Sequence, residues 1–175
     1  MPARNGGEFL PVAVESILGQ SLTGLELLLV DDHSSDGSLQ NLAKADPRLK
    51  VIKSSVRGVV SAFNQGMAEC RGRFIARMDA DDIAMPQRLE SQLAYLENNP
   101  AVDVAGACVE IISAVPLAGG NLHYQQWLNS VRTPGQIRRQ LFIESPIPNP
   151  TVMFRRETLR KLNGYRDPEW PEDYD

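Results

Sequence analysis

The sequence predicts an α/β fold with a mainly parallel β-sheet and helices on both faces. Short apolar runs, such as residues 27–30 and 74–78, alternate with segments whose apolar residues recur at helical spacing. This alternation is typical of strand–helix–strand units with right-handed crossovers. A second observation is that five aspartates directly follow these two runs: Asp31, Asp32, Asp79, Asp81 and Asp82. Ligands of open α/β sheets bind beyond the carboxyl ends of the strands, so these aspartates indicate a binding site.

The elements are expected in a regular order along the chain. Helices are predicted where apolar residues recur three and four positions apart, at 8–20, 38–45, 59–70, 86–98, 136–142 and 157–162. Strands are predicted at the short apolar runs 27–30, 51–52, 74–78, 102–112 and 151–154. Residues 113–135 contain Gly, Pro, Asn and aromatic residues without a clear period, so we expect irregular structure there.

Length and composition favour one globular domain and exclude some classes of partner. The chain has 175 residues, and its formal net charge of −4 argues against a nucleic-acid-binding protein. Two cysteines form neither a disulfide framework nor a CxxC metal pattern, which favours a reducing compartment. No apolar stretch approaches the roughly 20 residues that span a bilayer, and no signal peptide is visible. We therefore expect a cytoplasmic protein.

The two ends of the sequence indicate a fragment. Residues 1–5 suggest a loop with no strand ahead of it, and residues 171–175 lie within an acidic motif. We expect that a first strand and a C-terminal part are missing, which makes the activity of the 175-residue chain uncertain.

The first aspartate cluster, in LLLVDDHSSDG, combines a ligand-binding group with turn residues. A carboxylate at a strand end can accept a hydrogen bond from a base N–H or a ribose hydroxyl, and we assign this function to Asp32. Asp31 and Asp36 suit hydrogen bonding within the turn.

The second cluster, in FIARMDADD, has the chemistry of a metal site. Alternate residues of an extended strand point the same way, so Asp79 and Asp81 can reach one ligand. Hard carboxylate oxygens suit Mg²⁺ or Mn²⁺, which usually bridge phosphate oxygens. The alternative is a solvated acidic loop in which Asp82 caps a turn. A third acidic element, Glu172-Asp173, could take a proton from an attacking hydroxyl.

Taken in order, the motifs MPARNGG, LLLVDDHSSDGS, RGVVSAFNQGMAECRGRFIARMDADDIAMPQRL, NPTVMFRRETLRKLNGY and PEDYD resemble the family 2 glycosyltransferases. The resemblance implies inverting enzymes with the GT-A fold, a Rossmann-like sandwich that binds nucleotide-diphosphosugars. It covers essentially the whole chain, as a single domain. Residues 1–112 would form the donor-binding half, and residues 113–175 an incomplete acceptor-side half.

The resemblance also implies a role for each matching residue. Pro2 and Arg4 would contact the nucleoside, and the segment from Arg57 to Asn64 would pass close to the nucleotide. Asp32 would bind the base, and Asp79 would approach the ribose. Asp81 would bind the metal, and Asp173 would be the catalytic base. The implied reaction is in-line displacement at the anomeric carbon, with a divalent metal, Mn²⁺ or Mg²⁺, offsetting charge on the leaving diphosphate.

The expected partners are a nucleotide-sugar donor and an acceptor hydroxyl. A UDP-sugar is favoured as donor, and the acceptor could be a saccharide, a lipid-linked oligosaccharide or a protein. A lipid-linked acceptor would bring the protein to the cytoplasmic face of the membrane, although nothing in the sequence encodes membrane association.

Three alternatives have distinct signatures. A non-catalytic nucleotide-sugar-binding fragment would bind the donor without turnover. The segment LLLVDD resembles the first strand and acidic pair of a phospho-accepting receiver domain. Such a domain also needs a later strand ending in Lys-Pro, which is missing from this sequence. A sugar-nucleotide-forming nucleotidyltransferase would need a longer Gly-rich loop with Lys or Arg than Asn5-Gly6-Gly7 provides.

Overall fold

The computed structural model describes residues 1–42, 46–141 and 143–166. The strands are β1 (Pro2–Ala3), β2 (Leu27–Asp31), β3 (Leu49–Lys53), β4 (Phe74–Ala76), β5 (Val104–Ala105) and β6 (Met153–Arg155). The α-helices are α1 (Phe9–Leu18), α2 (Val59–Glu69), α3 (Arg88–Asn98), α4 (Gly119–Ser130), α5 (Pro134–Gln140) and α6 (Arg156–Leu162). Two 3₁₀ turns cover Ser38–Asn41 and Asn149–Thr151.

The strands form two three-stranded sheets. In the first, β2 lies between β1 and β3 and all three strands run parallel, as predicted. In the second, β6 lies between β4 and β5 and runs antiparallel to both. The predicted α/β fold class with a parallel sheet is confirmed, and the antiparallel second sheet is an addition. The long connection from β5 to β6 lets β6 return in the opposite direction, since no short crossover constrains it.

The beginning of the chain is a strand, so the predicted loop is wrong there. The amide of Val30 donates to the carbonyl of Met1 (2.9 Å), and the amide of Asp32 donates to that of Ala3 (2.8 Å). Pro2 is compatible with this pairing because its missing N–H would point away from β2. The strand places the following residues beside the end of β2.

Helices cover both faces of the parallel sheet because residues 27–30 of β2 are all apolar and must be buried on both sides. Leu27 and Leu29 belong to the main core, together with apolar residues of α1 and α3. On the other face α2 packs closely, and a Cβ added at Gly66 would lie 2.9 Å from Cγ2 of Val30. Glycine at this position therefore sets how near α2 comes to the sheet.

An apolar cavity of about 280 Å³ is lined by residues of both β2 and β4. Leu28 of β2, Phe63 of α2 and Phe74 of β4 are among its lining residues. Among the described residues, no strand of the first sheet pairs with a strand of the second.

The region after β5 differs from its sequence prediction. Residues 113–135 were expected to be irregular, yet α4 spans Gly119–Ser130 with Leu128 as its one buried residue. Conversely, only Val104–Ala105 of the predicted strand 102–112 pairs in a sheet. Side chains replace the ladder: Asn129 exchanges two 2.8 Å hydrogen bonds with the backbone of Val109. A helix held by amide side chains lacks the apolar period that predicts helices.

The predicted helix 38–45 is a 3₁₀ turn over Ser38–Asn41, and residues 43–45 lie outside the described part of the chain. Among the residues that the structure describes, no helix is both long and apolar enough to cross a membrane.

Candidate functional site

A cavity of about 270 Å³ lies where β1 and β2 end, beside the loop that follows β4. Five of the residues predicted to form the site line it: Pro2, Arg4, Asp32, Asp79 and Asp81. The convergence follows from topology, because β1 and β2 are parallel neighbours whose carboxyl ends meet at one edge. Asp32 and Asp79 are 47 positions apart in the sequence, yet both line this cavity.

Asp32 is buried at the edge of this cavity, with 5% of its surface exposed. Its Oδ1 accepts a 2.9 Å hydrogen bond from the amide of Gly58, which begins α2. A buried carboxylate is costly unless it is hydrogen-bonded, and this amide provides one partner. The other oxygen, Oδ2, has no hydrogen-bond partner within the described ranges and is available to a ligand in the cavity.

The remaining aspartates of the first cluster have structural roles, as their turn chemistry predicted. Asp31 accepts a 2.8 Å hydrogen bond from the amide of Ser34. Asp36 accepts from the hydroxyl and amide of Ser38 and from the amide of Gly7. The hydrogen bonds from Ser38, and then the one from Gly7, lower the pKa of Asp36. Asp36 thereby joins the loop after β1 to the loop after β2.

The second cluster combines a half-buried and an exposed carboxylate. Burial raises the pKa of Asp79, and the negative charges of Asp82 and Asp81 raise it further, against the opposing effect of Arg77. Asp81 is exposed and lies at the cavity. Burial, followed by the charge of Asp81, also raises the pKa of Asp82. Such crowding of carboxylates indicates a site where a cation would be favoured.

Sequence reasoning missed two arginines beside this cluster, of which Arg77 is buried and Arg88 is half-buried. The guanidinium of Arg77 is 3.3 and 3.4 Å from the two carboxylate oxygens of Asp79. Arg88 donates a 2.7 Å hydrogen bond to the carbonyl of Arg77, and its burial lowers its pKa to about 10. The available signal was a charged residue inside the apolar run FIARM, since an arginine in a buried strand needs a partner.

A buried amide fixes the loop that follows the second cluster. Gln20 donates to the carbonyl of Met85 (2.8 Å) and accepts from the amide of Leu89 (2.9 Å). Ser16 accepts a 3.0 Å hydrogen bond from the amide of Ala84. The end of α1 therefore holds both the loop and the start of α3, which limits the movement of the preceding aspartates.

The donor set fits a hard divalent cation only in part. Within the described residues, no three His, Cys, Asp or Glu side chains are close enough to hold a metal ion together. Mg²⁺ and related ions are commonly held by one or two carboxylates plus substrate phosphates and water. Asp81, with Asp79 beside it, fits that smaller protein contribution.

Two other predicted site residues, Arg57 and Asn64, are not among the described residues that line the cavity. Arg57 is exposed in the segment before α2. Asn64 hydrogen-bonds to the backbone of Tyr165 through both atoms of its amide. Asp173 lies outside the described residues, as does Glu172. The site roles predicted for these residues remain predictions.

Comparison with known proteins identifies relatives in sequence. Residues 1–162 match the family model described as "Glycosyl transferase family 2". The chain is 33% identical to the putative glycosyltransferase EpsE of Bacillus subtilis, over 90% of this chain and 55% of EpsE. It is 25% identical to the O-antigen biosynthesis glycosyltransferase WbnJ of Escherichia coli, over 96% of this chain and 65% of WbnJ. The chain thus spans between 55% and 65% of the length of these two relatives.

Solved structures with similar folds include two nucleotide complexes. S. aureus TarS 1-349 in complex with UDP superposes with a TM-score of 0.73 at 20% identity, over 99% of this chain and 51% of that TarS chain. The mannosyltransferase PcManGT from Pyrobaculum calidifontis, in complex with GDP-Man and Mn²⁺, gives 0.69 at 21% identity, over 94% of this chain and 46% of that protein. These similarities establish the GT-A fold. The chain therefore belongs to glycosyl transferase family 2.

Proposed function

We propose that this chain forms the donor-binding part of an inverting glycosyltransferase that moves a sugar from a UDP-sugar to an acceptor hydroxyl. The observation that carries the proposal is the single cavity into which Asp32, Asp79 and Asp81 converge. A nucleotide-diphosphosugar matches such a cavity because it offers base N–H and ribose hydroxyl donors to the carboxylates. Its diphosphate offers oxygens to a shared cation.

The hydrogen bonding of Asp32 favours uracil over guanine. The amide of Gly58 already hydrogen-bonds Oδ1, whereas Oδ2 accepts no hydrogen bond from the described residues, so Oδ2 is the proposed acceptor for the base. The N3–H of uracil is a single donor and matches one acceptor, whereas the Watson–Crick edge of guanine presents two adjacent donors. TarS, one structural neighbour, is solved with UDP, and that complex supports the choice.

Asp79 and Asp81, which line the same cavity, have proposed roles toward the ribose and the diphosphate. Asp79 would bind the ribose, with Arg77 and burial holding its side chain in place. Asp81 would hold Mn²⁺ or Mg²⁺ together with the diphosphate, and the bound cation would offset charge on the leaving group. The complex of PcManGT with Mn²⁺ supports a metal in this fold.

Asp173 is the proposed general base, by its match to the Glu-Asp element of the family. It would accept the proton of the acceptor hydroxyl as the oxygen bonds to the anomeric carbon and the bond to the diphosphate breaks. Displacement from the opposite face inverts the configuration. We further propose that residues 1–112 bind the donor and residues 113–175 contribute to the acceptor side. A saccharide of a cell-surface polysaccharide is the proposed acceptor, consistent with the name of WbnJ.

Calorimetric titration of UDP into the purified chain, with Mn²⁺ and then with EDTA, tests the donor site. We expect metal-dependent binding that Asp81→Asn weakens by about tenfold or more, because a lost charged contact costs roughly 1.5–3 kcal/mol. Asp103→Asn is the matched control, since Asp103 is an acidic residue that hydrogen-bonds Thr158 away from the cavity.

Two results would contradict the proposal. If neither EDTA nor Asp81→Asn affects UDP binding, the proposal of a metal site at Asp81 is wrong. If the folded chain binds no UDP either with Mn²⁺ or with EDTA, the proposal of a donor site in this cavity is wrong. Release of UDP from a UDP-sugar, measured in parallel, distinguishes a transferase from a fragment that binds the donor without turnover.

A further inference from the structure

The side-chain amide of Asn64 pairs with the backbone of a residue 101 positions away. Its Oδ1 accepts from the amide of Tyr165 (2.9 Å), and its Nδ2 donates to the carbonyl of the same residue (2.7 Å). This reciprocal pair uses the donor and acceptor of Tyr165 in the way a neighbouring strand would. Both ends of the Asn64 amide are thus engaged within the protein.

The side chain of Tyr165 also has specific contacts, through both its ring and its hydroxyl. Phe63 contacts it edge-to-face, with ring centroids 4.7 Å apart, and Phe154 does the same at 6.4 Å. The hydroxyl donates a 3.2 Å hydrogen bond to Oδ1 of Asn149. Edge-to-face aromatic pairs add stabilisation beyond the area they bury, so Tyr165 is a fixed point of the fold.

A specific turn brings Tyr165 to helix α2. Helix α6 ends at Leu162, and the next two residues, Asn163 and Gly164, have positive φ angles of 61° and 76°. A Cβ on Gly164 would collide with Oδ1 of Asn64. Glycine therefore permits both the left-handed backbone and the close approach of this turn to α2.

The N-terminal end of helix α2 also reaches the donor cavity, where Val59 is one of the lining residues. The amide of Gly58, at the start of α2, hydrogen-bonds Asp32. Asn64 lies six residues further along, which is about 9 Å at 1.5 Å per residue. One short stretch of a rigid helix thus contacts both the proposed base-binding carboxylate and the Tyr165 turn.

We propose that Asn64 is a positioning residue that clamps the Gly164–Tyr165 turn onto α2 and does not bind the nucleotide. The clamp fixes the point from which the chain continues toward Asp173, eight residues beyond Tyr165. This inference rests on the proposed function, in which Asp173 is the general base. A displacement of about 1 Å in a reacting group can cost roughly a hundredfold in rate, so loss of the clamp should slow transfer.

The test compares Asn64→Ala, Asn64→Asp and the control Gln65→Ala in the whole chain. Gln65 lies next on the same helix but hydrogen-bonds Ser55 and Lys53. Three quantities are measured: hydrogen exchange of the Tyr165 amide, the Kd for UDP with Mn²⁺, and kcat and KM for transfer from a UDP-sugar.

We expect Asn64→Ala to speed exchange of the Tyr165 amide by about tenfold or more, because the acceptor of that amide is lost. The Kd for UDP should stay within about twofold, while kcat falls by about tenfold or more at unchanged donor KM. Asn64→Asp keeps an acceptor oxygen and should restore part of the protection. Gln65→Ala should leave the Tyr165 amide protected.

Several outcomes would overturn the inference. Weakened UDP binding with a protected Tyr165 amide would show that Asn64 contacts the nucleotide instead. If Asn64→Ala speeds exchange of the Tyr165 amide but leaves kcat unchanged, Asn64 is not a positioning residue for the reaction. If Asn64→Ala does not fold, Asn64→Asp answers the same questions, since it keeps the acceptor oxygen for the Tyr165 amide and removes only the NH₂ donor to the Tyr165 carbonyl. A parent chain that binds UDP but transfers no sugar would contradict the proposed function, whereas the exchange and affinity comparison would still decide whether Asn64 is a clamp or a ligand.

Discussion

The substitution Asp32→Asn should change which nucleotide the chain prefers. The new side chain has the same shape, so its Oδ1 can keep the 2.9 Å hydrogen bond from the amide of Gly58. The group that faces the ligand changes from an acceptor to an NH₂ donor. That donor would oppose the N3–H of uracil but would match N3 of cytosine, which is an acceptor.

The magnitude follows from the loss of one charge-assisted hydrogen bond. Such bonds contribute about 1.5–3 kcal/mol, which corresponds to roughly 10- to 150-fold in affinity. UDP should therefore bind at least about tenfold more weakly to Asp32→Asn, and the preference for UDP over CDP should shrink or reverse. Both nucleotides are titrated calorimetrically in the presence of Mn²⁺.

Asp36→Asn is the matched control for this experiment. Asp36 belongs to the same loop and carries the same charge, but it hydrogen-bonds Ser38 and Gly7 and does not line the cavity. It should leave the ratio of UDP to CDP affinity unchanged. If Asp32→Asn binds UDP as tightly as the parent, Asp32 does not contact the base and the proposed reading of the cavity fails.

Two further predictions concern the scaffold of the site, and both are measured by urea unfolding. Gly66→Ala should lower the free energy of unfolding by about 1–3 kcal/mol, because the new Cβ would lie 2.9 Å from Cγ2 of Val30. Gly24→Ala meets no atom within 4 Å, and an equal loss there would contradict this packing argument. Gln20→Leu should cost about 1–3 kcal/mol, since it leaves the buried amide of Leu89 without its acceptor. Stability equal to the parent would mean that water or a shifted backbone replaces this hydrogen bond.

Sequence alone was sufficient where a segment is defined by its own residues. Residues 27–30 are continuously apolar, and the structure buries them all in β2. The helical spacing in 59–70 and 86–98 likewise predicted α2 and α3 to within one or two residues at most ends. These signals are local, because a strand buried on both faces or an amphipathic helix carries its pattern wherever it packs.

Elements that depend on distant partners could not be predicted in this way. Helix α4 was missed because Asn129 and Gln125 attach it to residues 109–111 by hydrogen bonds, with almost no apolar face. The direction of β6 was missed because antiparallel pairing with β4 depends on a connection of many residues. Neither feature has a periodic pattern in the sequence.

The candidate site divides along the same line. Asp32, Asp79 and Asp81 were predicted from their position after strands, since parallel strands bring their carboxyl ends to one edge of a sheet. Only the tertiary structure showed that Arg77 is buried against Asp79, that Arg88 hydrogen-bonds the backbone of Arg77, and that Gln20 fixes the loop after these aspartates. Those contacts join segments far apart in the chain, and packing and burial determine which polar groups must meet.

Asn64 shows the same division within a single residue. The sequence placed it in a segment expected to approach the nucleotide, whereas the structure pairs both ends of its amide with Tyr165. The composition of α2 allows either role, because an amide can bind a ligand or a backbone equally well. The sequence thus determined the fold class and the acidic edge of the sheet, and the tertiary structure decided which polar side chains are directed to the cavity and which hold the protein together.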